Sequence, residues 1–376
     1  MKSHQKLKNY RFGNYIRLVF LFIIIFALVP IESINSTIVK HFQLNSYGTI
    51  KYLPTTSETI IFRGINCLSV SESTSSNVAL IKNSGGNAIR LLVYQGQIID
   101  LTLLQNWKNV VEWARANNLA VIFTFQGTYG CAEYENWQYK ADTVYNVEGL
   151  ADQWIEIYSN AIRELQPDWV DCMNEPPNLK YTDYYSSVSY TQFSNDYKSF
   201  ILDCIDAFIA VKPDLKFIVE SSPFWDLSYA LTSPRIDESR PNLEIMYDVH
   251  NYYCYSNKNP NDLPDSYADK AHSAAYWNGD LTTARNLLFE YLLNSYPHIQ
   301  TALDLGLEIY IGEAGVNMYN PNWDVFMDDM FDFCDIYNIG INWHSWFYSG
   351  LGGSEGMLNS DWETLNAVGE HWVDLI

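Results

Sequence analysis

The sequence predicts an α/β fold of the (β/α)8 TIM barrel type, and three observations carry that prediction. Eight short apolar or β-branched stretches alternate with longer amphipathic ones from residue 60 onward. Glycine or proline stands at many of the boundaries. No glycine-rich phosphate fingerprint follows the first strand, as it would in a doubly wound dinucleotide-binding sheet. Alternation of this kind requires parallel strands and crossover helices, because hairpins cannot join parallel neighbours. Eight such units in a chain of this length suit a closed barrel.

In chain order, strands are expected at residues 60–65, 88–93, 120–125, 169–173, 217–220, 244–249, 308–311 and 340–343. Apolar residues at helical spacing predict helices at 78–84, 101–117, 150–165, 190–211, 282–305, 323–337 and 362–375, and Pro213 ends the fourth. Residues 37–57 read as a small capping hairpin over the bottom of the barrel. No low-complexity linker interrupts the rest, so residues 37–376 are expected to form a single domain.

The N-terminus reads differently. Lys2, Lys6, Lys8, Arg11 and Arg17 precede an uncharged apolar run over residues 18–29, closed by Pro30. A basic region followed by about a dozen apolar residues is the pattern of a secretory signal peptide. A spanning helix needs about 20 apolar residues, so an uncleaved anchor is the weaker alternative. Cleavage is expected near residues 33–36, leaving an extracellular protein, tethered to a membrane only if the segment is retained.

The 376-residue chain carries 44 acidic against 23 basic residues, a formal net charge of -21. That balance argues against nucleic acid as a partner, since a phosphate backbone needs a basic footprint. Hydrophobic residues at 48% exclude wholesale disorder. The 12 Trp, 28 Tyr and 18 Phe exceed what a core alone requires, and flat amphipathic rings suit a sugar-binding cleft. Six cysteines (67, 131, 172, 204, 254 and 334) include no CxxC pair, which disfavours a zinc ribbon. Outside the cell they could form up to three disulfides, with none equally compatible; Cys172 and Cys204 lie in apolar stretches that suggest packing.

In a barrel of this type the active site lies at the C-terminal strand ends. The fourth strand ends in Met173-Asn174-Glu175-Pro176 and the seventh in Ile311-Gly312-Glu313-Ala314. Two carboxylates at strand tips, directed into one cleft, are the minimum machinery for glycoside hydrolysis. These residues resemble glycoside hydrolase family 5, the cellulase-like retaining glycosidases, over residue 59 to the C-terminus. The resemblance makes Glu175 the acid/base, Glu313 the nucleophile and Asn174 the residue holding the sugar 2-hydroxyl. Arg90, in Asn87-Ala88-Ile89-Arg90, matches the arginine that bonds the nucleophile. His250 and Tyr252, in Val249-His250-Asn251-Tyr252, match the sixth-strand pair, and Trp346, in Trp343-His344-Ser345-Trp346, matches an aromatic sugar platform.

One position departs from the family pattern: Gln126 stands where a histidine commonly follows the third strand. Tyr129, Trp137, Trp225 and Trp277 are further aromatics that could line a cleft. The acidic run 262–269 lacks the glycine-punctuated spacing of a calcium loop and reads as solvated. No cofactor and no metal is expected, since Gly64-Ile65-Asn66-Cys67 offers no paired His ligands. The expected activity is retaining hydrolysis of a β-linked polysaccharide, a β-glucan or β-mannan, by a monomer. The alternative is a non-catalytic carbohydrate-binding protein on the same fold. Retention predicts a Glu175–Glu313 carboxyl separation of about 5–5.5 Å.

Overall fold

Successive side chains of a strand point to opposite faces, so each strand of a closed parallel barrel gives one set to the interior and one to the surrounding helices. The computed structural model describes residues 42–44, 50–52, 61–67, 70–94, 98, 100–126, 150–174, 190–220, 227, 230–253, 259–262, 270–295, 298–317, 319–346, 356–361 and 363–376. Within it, eight parallel strands close into a barrel in sequence order: β1 (Arg63–Cys67), β2 (Ala88–Tyr94), β3 (Ala120–Gln126), β4 (Trp169–Asp171), β5 (Lys216–Glu220), β6 (Ile245–Tyr253), β7 (Glu308–Val316) and β8 (Gly340–Trp343). β8 returns to pair with β1. Separately, strands Phe42–Leu44 and Ile50–Tyr52 pair antiparallel in the N-terminal unit, which divides from the barrel after Thr59.

The inward set forms a graded interior. At the lower level Phe62, Ala88, Ile122, Trp169, Ile218, Met246 and Tyr310 make a separate apolar cluster, with the Phe62 ring edge-on to Trp169 and Tyr310. Two residues further along the same strands stand Gly64, Arg90, Thr124, Asp171, Glu220, Asp248 and Gly312. An apolar plug therefore lies beneath a polar layer, nearer the C-terminal ends. The intervening residues, among them Ile65, Ile89, Val121, Phe123, Val170, Phe217, Val219, Val249 and Ile311, face outward into the helix-covered core.

The crossover helices are α1 (Ser75–Asn83), α2 (Leu101–Ala116), α3 (Leu150–Leu165), α4 (Tyr190–Val211), α5 (Ile236–Ser239), α6 (Lys270–Trp277), α7 (Leu281–Asn294), α8 (Ile299–Asp304), α9 (Trp323–Tyr337) and α10 (Ala367–Leu375). Their starts are set by side chains that satisfy otherwise unbonded amides. Thr74 and Asn77 form a reciprocal capping box on α1, and Asp100, Asp280 and Asn366 cap α2, α7 and α10.

Several elements differ from the sequence expectation. The helix expected over 282–305 is two helices, since Asn294 ends α7 and His298, in the left-handed region after Pro297, precedes α8. The last helix begins at Ala367 rather than 362, where Asn366 accepts from the Val368 and Gly369 amides. The sixth and seventh strands run longer than expected, to Tyr253 and Val316, so His250, Tyr252 and Glu313 belong to strands rather than to the loops after them.

The four described cysteines, Cys67, Cys172, Cys204 and Cys334, are all buried. Cys172 and Cys204 are partners in the apolar core, where burial pushes the Cys172 thiol well up. Cys131 and Cys254 lie outside the described residues. No helix among the described residues is long and apolar enough to cross a membrane.

Candidate active site

The site is built on a register shift. β6 and β7 pair Val249 with Ile311, and the next pair is His250 with Glu313, so Gly312 is an extra residue on β7. The same irregularity appears against β8. This bulge sets Glu313 level with His250 at the upper rim. Two glycines allow it. A Cβ on Gly312 would lie 2.1 Å from Asp248 Oδ2, and one on Gly315 would lie 2.8 Å from the Tyr252 ring. The Gly312 amide donates to Asp248 Oδ1 at 2.6 Å, and Asn66 Nδ2 donates to the Gly312 carbonyl at 2.8 Å.

Arg90 is the hub of the polar layer and is fully buried. Its Nη1 donates to Glu313 Oε1 at 2.7 Å and to Asn66 Oδ1 at 3.3 Å. Its Nη2 reaches Asn174 Oδ1 at 2.9 Å, Glu220 Oε1 at 3.0 Å, Thr124 Oγ1 at 3.2 Å and Asp171 Oδ2 at 3.3 Å. Asp248 Oδ2 lies 3.8 Å away. Burial disfavours the charged guanidinium, but Glu313, Asp248, Glu220 and Asp171 outweigh it and hold the proton firmly.

Glu313 is 4% exposed. Burial pushes its carboxyl up, but interactions with His250, the Arg90 guanidinium and His344, with a hydrogen bond from the Tyr252 hydroxyl, hold it well below the usual carboxylate range, while burial lowers the pKa of His344 itself. His250 Nδ1 is 3.7 Å and His344 Nδ1 3.8 Å from Glu313 Oε2. On its other side, His250 Nε2 faces Glu220 Oε1 at 3.3 Å and Asp248 Oδ2 at 3.7 Å. Burial drives Glu220 the opposite way, well above its ordinary value against the pull of His250, and it raises Asp248 as well. The layer thus holds carboxyls of opposite tendency, with the ionised one nearest the rim.

Five sequence-predicted residues, Arg90, Asn174, His250, Tyr252 and Glu313, come together at this rim. Trp346 has the environment of a packing residue: it is 1% exposed, and its indole N–H donates to the Asn77 carbonyl of α1 at 3.1 Å. Glu175, the Gln126 side chain, Tyr129, Trp137, Trp225 and residues 263–269 lie outside the described residues. Trp277, on α6, is half-buried. The sequence reading missed Asn66, Thr124, Asp171, Glu220, Asp248 and His344. A signal for four of them was present, since each stands two residues beyond an inward apolar residue of its strand.

Glu220, Asp248 and His250 bring possible ligand atoms within 4.8 Å of one another, the described group most suited to a cation. Arg90 Nη2 already lies against two of the three, so the cluster has its positive charge from the chain itself.

A closed barrel that presents an arginine-held carboxylate at the tip of its seventh strand is the architecture of a glycoside hydrolase. The model of the cellulase family, glycosyl hydrolase family 5, matches residues 55–350, and the chain belongs to that family. No curated protein matches it. Among solved structures it resembles a hyperthermophilic endocellulase from Pyrococcus horikoshii, with TM-score 0.61, 18% identity, and coverage of 89% of this chain and 95% of that one. It also resembles endo-glycoceramidase II from Rhodococcus sp. (TM-score 0.58, 15% identity, 83% and 78% covered). A mannanase catalytic domain from Streptomyces sp. SirexAA-E matches at TM-score 0.53 and 14% identity, with 89% and 87% covered. At these identities the likeness is one of fold.

Proposed function

We propose that the protein is an exported, retaining endo-glycosidase that cleaves a β-linked polysaccharide by double displacement, with Glu313 as nucleophile and Glu175 as acid/base. The observation that carries this reading is the state of Glu313. A nucleophile must be ionised to attack an anomeric carbon, and Arg90 and Tyr252 both donate to this carboxylate at the strand end. Asn174, bonded to Arg90, directly precedes Glu175 in the chain and in this scheme binds the sugar 2-hydroxyl. Glu175 supplies the proton to the leaving oxygen and then deprotonates water. In this scheme the ionised nucleophile favours the proton on the acid/base.

The solved relatives support a glucan or mannan as substrate. One is an endocellulase seen with cellotetraose and another is a mannanase. The basic N-terminal segment followed by the apolar run at residues 18–29 supports export. Reducing-sugar release over a panel of purified β-glucans and β-mannans tests the activity. Proton NMR of the first-formed sugar tests the stereochemistry. The expected product keeps the anomeric configuration of the substrate linkage, and an inverted first product contradicts double displacement.

A further inference from the structure

Among the described residues, two aromatic side chains are more than a third exposed, Tyr94 at 42% and Tyr319 at 74%. The other strongly exposed large apolar residues, Leu101, Leu281, Leu305, Ile336, Val373 and Ile376, are all aliphatic. Tyr94 is the last residue of β2, and Tyr319 lies three residues past the end of β7. Among the described residues, exposed rings therefore occur only at the C-terminal strand ends, the face that carries Glu313.

Tyr319 stands on a turn that is fastened at both sides. Asn317 and Asn320 flank it and are buried. Asn317 Oδ1 accepts from the Tyr319 amide at 2.9 Å, and the Asn317 carbonyl accepts from the Asn320 amide at 2.8 Å. Asn320 Nδ2 reaches the Tyr253 carbonyl at 3.4 Å, and the Tyr253 hydroxyl donates to the Pro321 carbonyl at 2.8 Å. The turn is tied to Tyr253 at the end of β6, one residue beyond Tyr252 and three beyond His250. A ring left in water on a turn held by buried amides is preorganised, because little backbone freedom remains to be lost when a ligand docks.

We propose that Tyr319 is a sugar-stacking platform, holding a pyranose unit of the polysaccharide remote from the cleaved bond. The axial C–H face of a pyranose is flat and weakly polar and fits an aromatic face, while the phenol hydroxyl remains free to bond a ring hydroxyl. A residue that touches only a distal sugar contributes only when the substrate is long enough to reach it. This rests on the glycosidase reading above, and on the same cleft serving a polymer rather than a disaccharide.

The test is the chain-length dependence of KM, measured on an oligosaccharide ladder of whichever polysaccharide the wild-type protein cleaves, for Tyr319→Ala and Tyr319→Phe. In Tyr319→Ala the KM ratio to wild type should rise with length, to about three- to tenfold on the longest members, the range of one aromatic contact. Tyr319→Phe should recover most of that loss, because the ring face is retained. Affinity electrophoresis in gels containing the polysaccharide reads binding without turnover, and Tyr319→Ala should migrate faster than wild type there. A KM ratio independent of length, or unaltered retardation in the gel, overturns the proposal. Wild-type protein that releases no sugar from any polysaccharide would instead overturn the glycosidase reading.

Discussion

Arg90 Nη1 and Glu313 Oε1 are 2.7 Å apart across the barrel, joining the second strand to the seventh over 223 residues of sequence. The pair does two jobs. It fixes the carboxylate in position, and it keeps that carboxylate ionised in a place where burial alone would protonate it. Arg90 also satisfies Asn174, Glu220 and Asp171 from its second nitrogen.

Arg90→Lys is therefore not a conservative change. A single ammonium cannot reproduce the planar fork that reaches both sides of the layer. We expect kcat/KM to fall at least about a hundredfold, the scale of removing one preorganised electrostatic contact. The acidic limb of the pH profile should move upward, because Glu313 would protonate at higher pH. Arg90→Ala should destabilise the fold by about 3–5 kcal/mol, the cost of leaving a buried charge without its partner. Unchanged limb and rate in Arg90→Lys would show that the contact is structural only.

Gly312→Ala should harm the site more than its size suggests. The new methyl would meet the Asp248 carboxylate at 2.1 Å, so the bulge or the carboxylate must move. Overpacking of this kind costs about 1–3 kcal/mol. The shift would also tilt Glu313, one residue on, away from Arg90 and Tyr252. Thermal unfolding and kcat should both fall, and a variant with wild-type Tm and kcat would contradict the tight register at the bulge.

The barrel itself was legible because its pattern is simple: short, nearly continuous apolar strands alternating with period-3.6 helices. Glu313, Arg90 and His250 were legible because each ends a recognisable strand motif. The polar layer beneath them was marked only by its two-residue spacing from the apolar plug. Asp171, Glu220 and Asp248 look like ordinary acidic residues in one dimension, and only closure of the barrel brings all three around one guanidinium. Trp346 shows the converse. An aromatic just past the eighth strand matches a sugar platform in one dimension, whereas in the fold its ring is buried and its indole N–H is bonded to Asn77 on α1, 269 residues away.

Trp346→Ala should accordingly reduce stability by about 3–5 kcal/mol, as expected for deletion of a large buried ring. The loss should appear in chemical denaturation as a lower midpoint. A variant of wild-type stability with greatly raised KM would return Trp346 to the cleft.

His272, on α6, supplies a pH test away from the site. It is fully buried against Tyr291, and burial lowers its pKa to about 3. A histidine kept neutral in the fold but free to protonate when unfolded stabilises the protein above the unfolded value of about 6.5. That contribution is lost progressively as pH falls from there toward 3, on the order of 5 kcal/mol if the whole interval is traversed. His272→Phe should flatten the acid side of the stability curve. Parallel curves for wild type and variant between pH 6.5 and pH 4 would contradict a neutral buried His272.

The most direct test of the account is azide rescue of Glu313→Ala on an activated aryl β-glycoside. With the nucleophile removed, turnover should fall by several orders of magnitude, because no covalent intermediate can form. Azide should then occupy the space of the lost carboxylate and attack the anomeric carbon, restoring turnover and giving the glycosyl azide of inverted configuration. Near-wild-type activity in Glu313→Ala, or an azide product of retained configuration, would contradict Glu313 as the nucleophile.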